Sequence, residues 1–322
     1  MAIRTPLTDI FGLEYPIVSA PMGWVSGGRL AAAVSNAGGL GLVAGAYGDP
    51  VWLQPQLELA GAEAERPWGV GLITWAAPPE TVELALRYRP AAVFLSFGDP
   101  SKHAERIKAA GCVLICQVQE VEAARQAVAA GADIIVAQGS EAGGHSGVRA
   151  TLPLVPAVVD AVAPVPVLAA GGIADGRGLA AALMLGAQGG LMGTRFYATA
   201  ESLGHERARA RLVAAGAGET VRSHVFDIVR DFYPWPEPYV ARALGNRFVD
   251  RWHGREPELQ GALTEEAPAY WRARDEGDVD VAAVFAGECV DLIRAVEPAA
   301  DLVRRIGAEA EALLRGGPEF LA

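Results

Sequence analysis

Cysteine is scarce in this chain: Cys112, Cys116 and Cys289 are the three among 322 residues, and they form no CxxC pair. None has the spacing to histidine that a zinc site uses, so neither a disulfide framework nor a metal centre is expected, and the usage fits a cytoplasmic protein. Basic residues are also few, with Lys+Arg 27 against Asp+Glu 38 and a net charge of -11. Nucleic acid and anionic membrane surfaces both demand clustered Lys and Arg, so neither is expected as a partner. No uninterrupted apolar stretch approaches membrane-spanning length, and residues 1–9 lack a cationic head followed by an apolar run. No export signal or anchor is therefore expected.

What is present is apolar and ordered. Hydrophobic residues make up 51% of the chain, enough for a large core. Short runs rich in Val, Ile and Leu occur at residues 17–20, 41–44, 69–73, 92–97, 113–118, 134–138, 166–170 and 190–194. Ala-rich amphipathic stretches such as 30–37, 81–88, 120–130 and 178–185 separate them, the alternation of βα units. Eight such runs predict an α/β fold, a (β/α)₈ TIM barrel, with its active site at the C-terminal strand ends.

The barrel is expected over residues 1–215. Beyond it, residues 216–280 carry the aromatic and proline-rich run from Asp231 to Tyr239. Its prolines forbid regular structure and its aromatics need a surface to cover, so this segment reads as a cap over the mouth that contacts substrate. Helical patterns at 281–293 and 299–314 are expected to pack back on the barrel, within a closing unit of residues 281–322.

Three strand-end loops carry the candidate chemistry. After the sixth run, residues 137–147 place His145 among Gly139, Gly143, Gly144 and Gly147. The glycines let backbone approach a flat ligand, and an imidazole of ordinary pKa, about 6.5, suits removal of a moderately acidic C–H proton. The alternative is a solvated loop histidine; the strand-end position and the glycine packing favour the catalytic role. After the seventh and eighth runs come Gly171-Gly172 and Met192-Gly193-Thr194, where barrels commonly hold a phosphate. Two tight turns, with Asp175 merely capping a helix, are the alternative. After the first run, Pro21 and Gly23 make a sharp turn beside Met22 and Trp24, which either flank an aromatic ligand ring or fill the barrel top.

Gln117 and Gln138 end the fifth and sixth runs, and an amide inside a barrel needs a partner. A ligand ring or neighbouring loop backbone would serve. The stretch 39–44 fits the GxGxxA dinucleotide fingerprint, but it leaves a helix and enters a strand, the reverse of the required context. His103, His205, His224 and His253 read as surface residues, with His224 and Tyr233 placed where a cap could touch substrate.

Ala20-Pro21-Met22-Gly23, residues 36–41, the 137–147 loop, residues 169–173 and Gly193-Thr194-Arg195-Phe196 together resemble the nitronate monooxygenase (2-nitropropane dioxygenase) family. The resemblance covers the whole barrel. It implies FMN as cofactor, its phosphate held by Gly172, Gly193 and Thr194, with Gln138, Gly143 and the backbone near Met22 touching it. Ala20, Pro21, Gly23, Gln117, Gly144, Gly171 and Met192 complete the candidate cofactor set. It implies His145 as the base that deprotonates a nitroalkane or steadies a nitronate, with electrons passing to FMN and then O₂, giving a carbonyl compound and nitrite. Family members commonly offer the flavin an Asn from the third strand in a Gly-Val-Asn context; here the stretch reads Gly69-Val70-Gly71-Leu72.

Flavin-dependent enoyl-(acyl carrier protein) reductases share Trp24-Val25, the 141–145 loop and residues 277–280 with this chain, and a related NAD(P)H:quinone reductase is a further alternative. Both would use NAD(P)H. A barrel that only binds a phosphorylated ligand is the non-enzyme alternative. Oligomeric state stays open, a homodimer among the options.

Overall fold

The computed structural model describes residues 3–231 and 235–317. Its centre is a closed barrel of parallel strands: β1 (Ile17–Ser19), β2 (Leu40–Ala44), β3 (Trp68–Ile73), β4 (Ala92–Ser96), β5 (Val113–Val118), β6 (Ile134–Gln138), β8 (Val167–Ala170) and β9 (Gly190–Met192). Closure is direct, because Val18 of β1 pairs with Leu40 of β2 on one side and Leu191 of β9 on the other. This is the TIM barrel expected from the eight apolar runs, with strand ends displaced by a residue or two.

The strands read as continuous apolar runs because both of their faces are buried. Side chains alternate between two cores. Val18, Leu40, Leu42, Phe94, Ile115, Val136 and Leu168 fill the barrel, while Val43, Val70, Leu72, Leu95 and Ile135 face the surrounding helices. The helix Pro6–Phe11 adds Leu7 and Phe11 to the inner core, with Leu7 against the approach to β9 at the N-terminal end. The opposite end holds an open cavity.

The loop after β6 contains β7 (Gly144–Ser146), which joins β10 (Thr220–Ser223) and β11 (Val240–Leu244) in a three-stranded sheet of order β10-β11-β7. Residues from the 216–280 stretch thus pair with the histidine-bearing loop, with Ala241 opposite His145. The helices Val225–Arg230, Arg247–Trp252, Glu256–Gly261 and Leu263–Glu276 pack behind this sheet around Phe226, Phe248, Trp252 and Tyr270.

One expectation is corrected. Residues 281–293 form no α-helix; only a 3-10 turn covers Glu288–Leu292, and Phe285 bridges Ala243 in extended conformation. Val284 and Ala286 join one core cluster, while Val281, Ala283 and Phe285 pack against another. That period of two is a strand's, and an all-apolar stretch conceals it. The helix Ala299–Gly316 does form and packs on the helix Gly176–Met184. No described helix is long and apolar enough to cross a membrane.

Candidate active site

A cavity of about 510 Å³ opens at the C-terminal strand ends, within the range of roughly 300–1,000 Å³ usual for small-molecule sites. It brings together the candidate residues: 20–23 after β1, Gln117 and Gln138 on β5 and β6, Gly143, Gly144 and His145, Gly171 and Gly172 after β8, and 192–194 at the end of β9.

Gly171 and Gly172 have φ of 101° and 74°, successive left-handed residues that only glycine adopts cheaply. Their N–H groups meet no backbone acceptor among the described residues. Asp175 caps the next helix by accepting from the N–H of Arg177 at 3.0 Å and of Gly178 at 3.1 Å, so it takes the capping role weighed for it. The Thr194 hydroxyl accepts from the N–H of Gly287 at 2.9 Å, which leaves its own proton to donate.

The β-strand amides form a chain. Gln138 Oε1 accepts from Gln117 Nε2 at 3.1 Å and Gln119 Nε2 at 2.8 Å, and Gln138 Nε2 donates to the carbonyl of His145 at 3.1 Å. Gln138 therefore holds the histidine's backbone, a role invisible in sequence. Gln119, not singled out from the sequence, is what saturates it.

At Gly71, the position compared above with a common Asn, a Cβ would lie 2.2 Å from Pro21 Cγ and 2.4 Å from Pro21 Cβ. The Pro21 ring occupies the space that such a side chain needs. Gly71→Asn is therefore expected to destabilise the protein by about 1–3 kcal/mol through overpacking, read as a lower melting temperature; an unchanged one would show that the loop yields.

His145 is not a solvated loop residue. Its side chain is 6% exposed, and Nε2 lies 3.0 and 2.9 Å from the two oxygens of Asp227. Arg230 Nη2 donates to Asp227 Oδ1 at 2.8 Å. Trp235 lies face to face on the imidazole, ring centres 3.4 Å apart and planes 8° from parallel. Burial pushes the His145 pKa down, Asp227 pulls it up, Arg230 opposes it, and the net direction is down. For Asp227 burial acts upward, but His145 and Arg230 outweigh it and hold the carboxyl below its ordinary value. Burial thus favours the neutral imidazole, beside a carboxylate that is also paired with a guanidinium.

Aromatic rings wall the cavity. Trp24 lies 5.4 Å from Tyr47, whose hydroxyl accepts from Trp235 Nε1 at 2.8 Å. Trp24 and Phe97 hold φ of 57° and 58°, a backbone strain of about 1–3 kcal/mol each that clusters at functional sites. Arg274 places its guanidinium over Trp24 at 5.0 Å and Trp271 at 5.2 Å.

Asp227, Arg230 and Arg274 escaped the sequence reading, since they carry no motif and lie far along the chain. Tyr233 lies outside the described residues. His224 does not line the cavity, whereas His205 does, with Nδ1 accepting from the N–H of Arg207 at 3.1 Å. His103, expected at the surface, is 3% exposed because its helix turns that face to the core.

Fold and site define a parallel-barrel protein with a ligand cavity at its strand ends and a buried imidazole in the wall. The family model described as nitronate monooxygenase matches residues 4–80 and 71–309. A nitronate monooxygenase of Neurospora crassa is 35% identical, aligned over 95% of this chain and 92% of that protein. A (3aS,4S,5R,7aS)-5-hydroxy-7a-methyl-1-oxo-octahydro-1H-indene-4-carboxyl-CoA dehydrogenase of Mycobacterium tuberculosis is 42% identical over 69% of this chain; the match spans 63% of that protein, less than two thirds of its length. The solved FabK of Thermotoga maritima superposes with a TM-score of 0.88 at 32% identity, covering 99% of both chains. This chain belongs to the nitronate monooxygenase family.

Proposed function

We propose that this protein is an FMN-dependent oxidoreductase that oxidises nitronates or nitroalkanes with O₂ to a carbonyl compound and nitrite, with His145 as general base. The observation that carries this reading is a buried imidazole, its pKa held down by burial, in the wall of the same cavity that the glycine turns line. The N–H groups of Gly171 and Gly172, without an acceptor among the described residues, suit an anion, and backbone at 20–23 and Gly193 gives a ring close approach. The residues present fit FMN on these grounds.

In this reading Gly172, Gly193 and the Thr194 hydroxyl hold the phosphate, and Gln117, Gln138, Ala20, Pro21, Met22, Gly23, Gly143, Gly144, Gly171 and Met192 surround the rest. The bound flavin would supply the acceptor for the substrate's electron pair and the route to O₂. His145 takes the proton from the carbon bearing the nitro group. The chain divides in this reading into a flavin barrel (1–215), a segment closing its mouth (216–280) and a closing unit (281–322), of which residues 3–231 and 235–317 are described.

Arg274 favours a second reading. It lines the cavity between two indoles, where a guanidinium suits the phosphates of NAD(P)H, and an NAD(P)H-dependent reductase would use it. The purified protein is expected to be yellow, and its flavin to bleach anaerobically on adding a nitronate. Bleaching by NADH or NADPH alone would transfer the assignment to the reductase. A colourless protein that takes up no FMN would remove both readings.

A further inference from the structure

We propose that Arg230 and Asp227 are positioning residues that fix His145 as the neutral imidazole carrying its proton on Nε2, which makes Nδ1 the atom that receives the substrate proton. The inference rests on the reading of His145 as the base and adds the atom and the device that sets it.

A carboxylate only accepts hydrogen bonds. With both Asp227 oxygens within 3.0 Å of Nε2, that nitrogen must carry the hydrogen. In a neutral imidazole the other nitrogen then holds the lone pair. Nδ1 has no partner among the described residues, and His145 lines the cavity. Trp235 stacks on the ring face and leaves the in-plane lone pair open.

Asp227 alone would favour the imidazolium, since a carboxylate at contact distance stabilises it. Arg230 cancels that charge. It is 5% exposed, donates to Asp227 Oδ1 at 2.8 Å and to the carbonyl of Phe226 at 3.0 Å, and its guanidinium lies 5.3 Å from the Phe285 ring centre. The groups that face His145 are Asp227, Arg230 and His224 from the helix Val225–Arg230 and its cap, with Trp235, Phe97 and Phe285 as uncharged neighbours. Tyr47 and Tyr270 act on Arg230, and β6 contributes the neutral Gln138. After proton transfer the imidazolium holds hydrogens on both nitrogens. Its Nε2–H stays on Asp227 while Nδ1 carries the proton taken from the substrate.

Histidine-labelled, flavin-loaded protein followed by ¹⁵N NMR tests this directly, because the chain has five histidines and the His145→Gln spectrum assigns the relevant one. The expected result is a neutral His145 with its proton on Nε2 and a titration midpoint below the ordinary value of about 6.5. Arg230→Met should raise that midpoint by about one unit or more, and Arg230→Lys should keep it low. A wild-type imidazolium at neutral pH, a proton on Nδ1, or an Arg230→Met midpoint equal to wild type would each overturn the proposal. If Arg230→Met does not fold, the wild-type tautomer and midpoint still decide. This readout is independent of turnover, so an idle His145 with the expected tautomer would refute the base and leave the positioning intact.

Discussion

Replacing His145 by asparagine is expected to lower turnover of a neutral nitroalkane by about 10²–10⁴-fold, the usual contribution of a positioned general base. The flavin spectrum should survive, because only the side chain beyond a backbone held by Gln138 is changed. A preformed nitronate already lacks the proton that His145 removes, so the loss should shrink sharply with that substrate. Equal loss with both substrates would mean that His145 binds or orients rather than takes a proton, and full activity with the neutral nitroalkane would defeat the assignment.

The pH profile follows from the same geometry, with its sign set by the base form. His145 works only when neutral, and burial lowers its pKa from the ordinary 6.5. The wild-type kcat/KM for a nitroalkane should therefore hold as pH falls through about 6.5 and decline only when the pH reaches the depressed value. Stability has the same sign: the unfolded histidine takes up a proton near 6.5 that the folded one refuses, so this group weakens the fold as pH drops below that point.

Arg195→Met is expected to cost the largest amount of stability of any single change considered, about 3 kcal/mol. Arg195 is 2% exposed, and its Nη2 donates to the carbonyl of Ala295 at 3.0 Å and to Glu297 at 2.8 Å. Methionine keeps the bulk but strands those acceptors, at about 1–3 kcal/mol for each buried group left unmade. Glu297 is 31% exposed and keeps Arg305 at 2.9 Å, so it falls short of the full penalty for an unpaired buried charge. Urea unfolding checks the figure, with Arg305→Met as control at roughly 0–1 kcal/mol, since that pair is partly solvated. Equal effects would show that the buried link between the turn after β9 and the segment preceding the C-terminal helix is not special. Because Arg195 directly follows Thr194, a weakened anchor should also loosen the proposed phosphate turn.

Much of this was legible in the linear order of residues. Strands β1 to β6, β8 and β9 show themselves because a barrel strand buried on both faces is a short, continuous apolar run, and local composition is enough to mark it. Strand ends in a barrel share one rim, so the topology alone carried Gly171, Gly172, Gly193, Thr194 and His145 to a common cavity. The stretch 281–293 misled because its first six residues, 281–286, are all apolar and alternate between two cores, so no polar residue reveals their period.

The amino-acid order determined the barrel and the rim on which the imidazole and the glycine turns meet, since periodicity and strand count are local properties that survive without coordinates. Only the tertiary structure decided that His145 lies against a carboxylate 82 residues away, that Arg230 neutralises that carboxylate, and that Pro21 fills the space beside Gly71. Those are through-space contacts between segments with no shared period or motif. Their energies depend on distances of about 3 Å, which residue order does not encode.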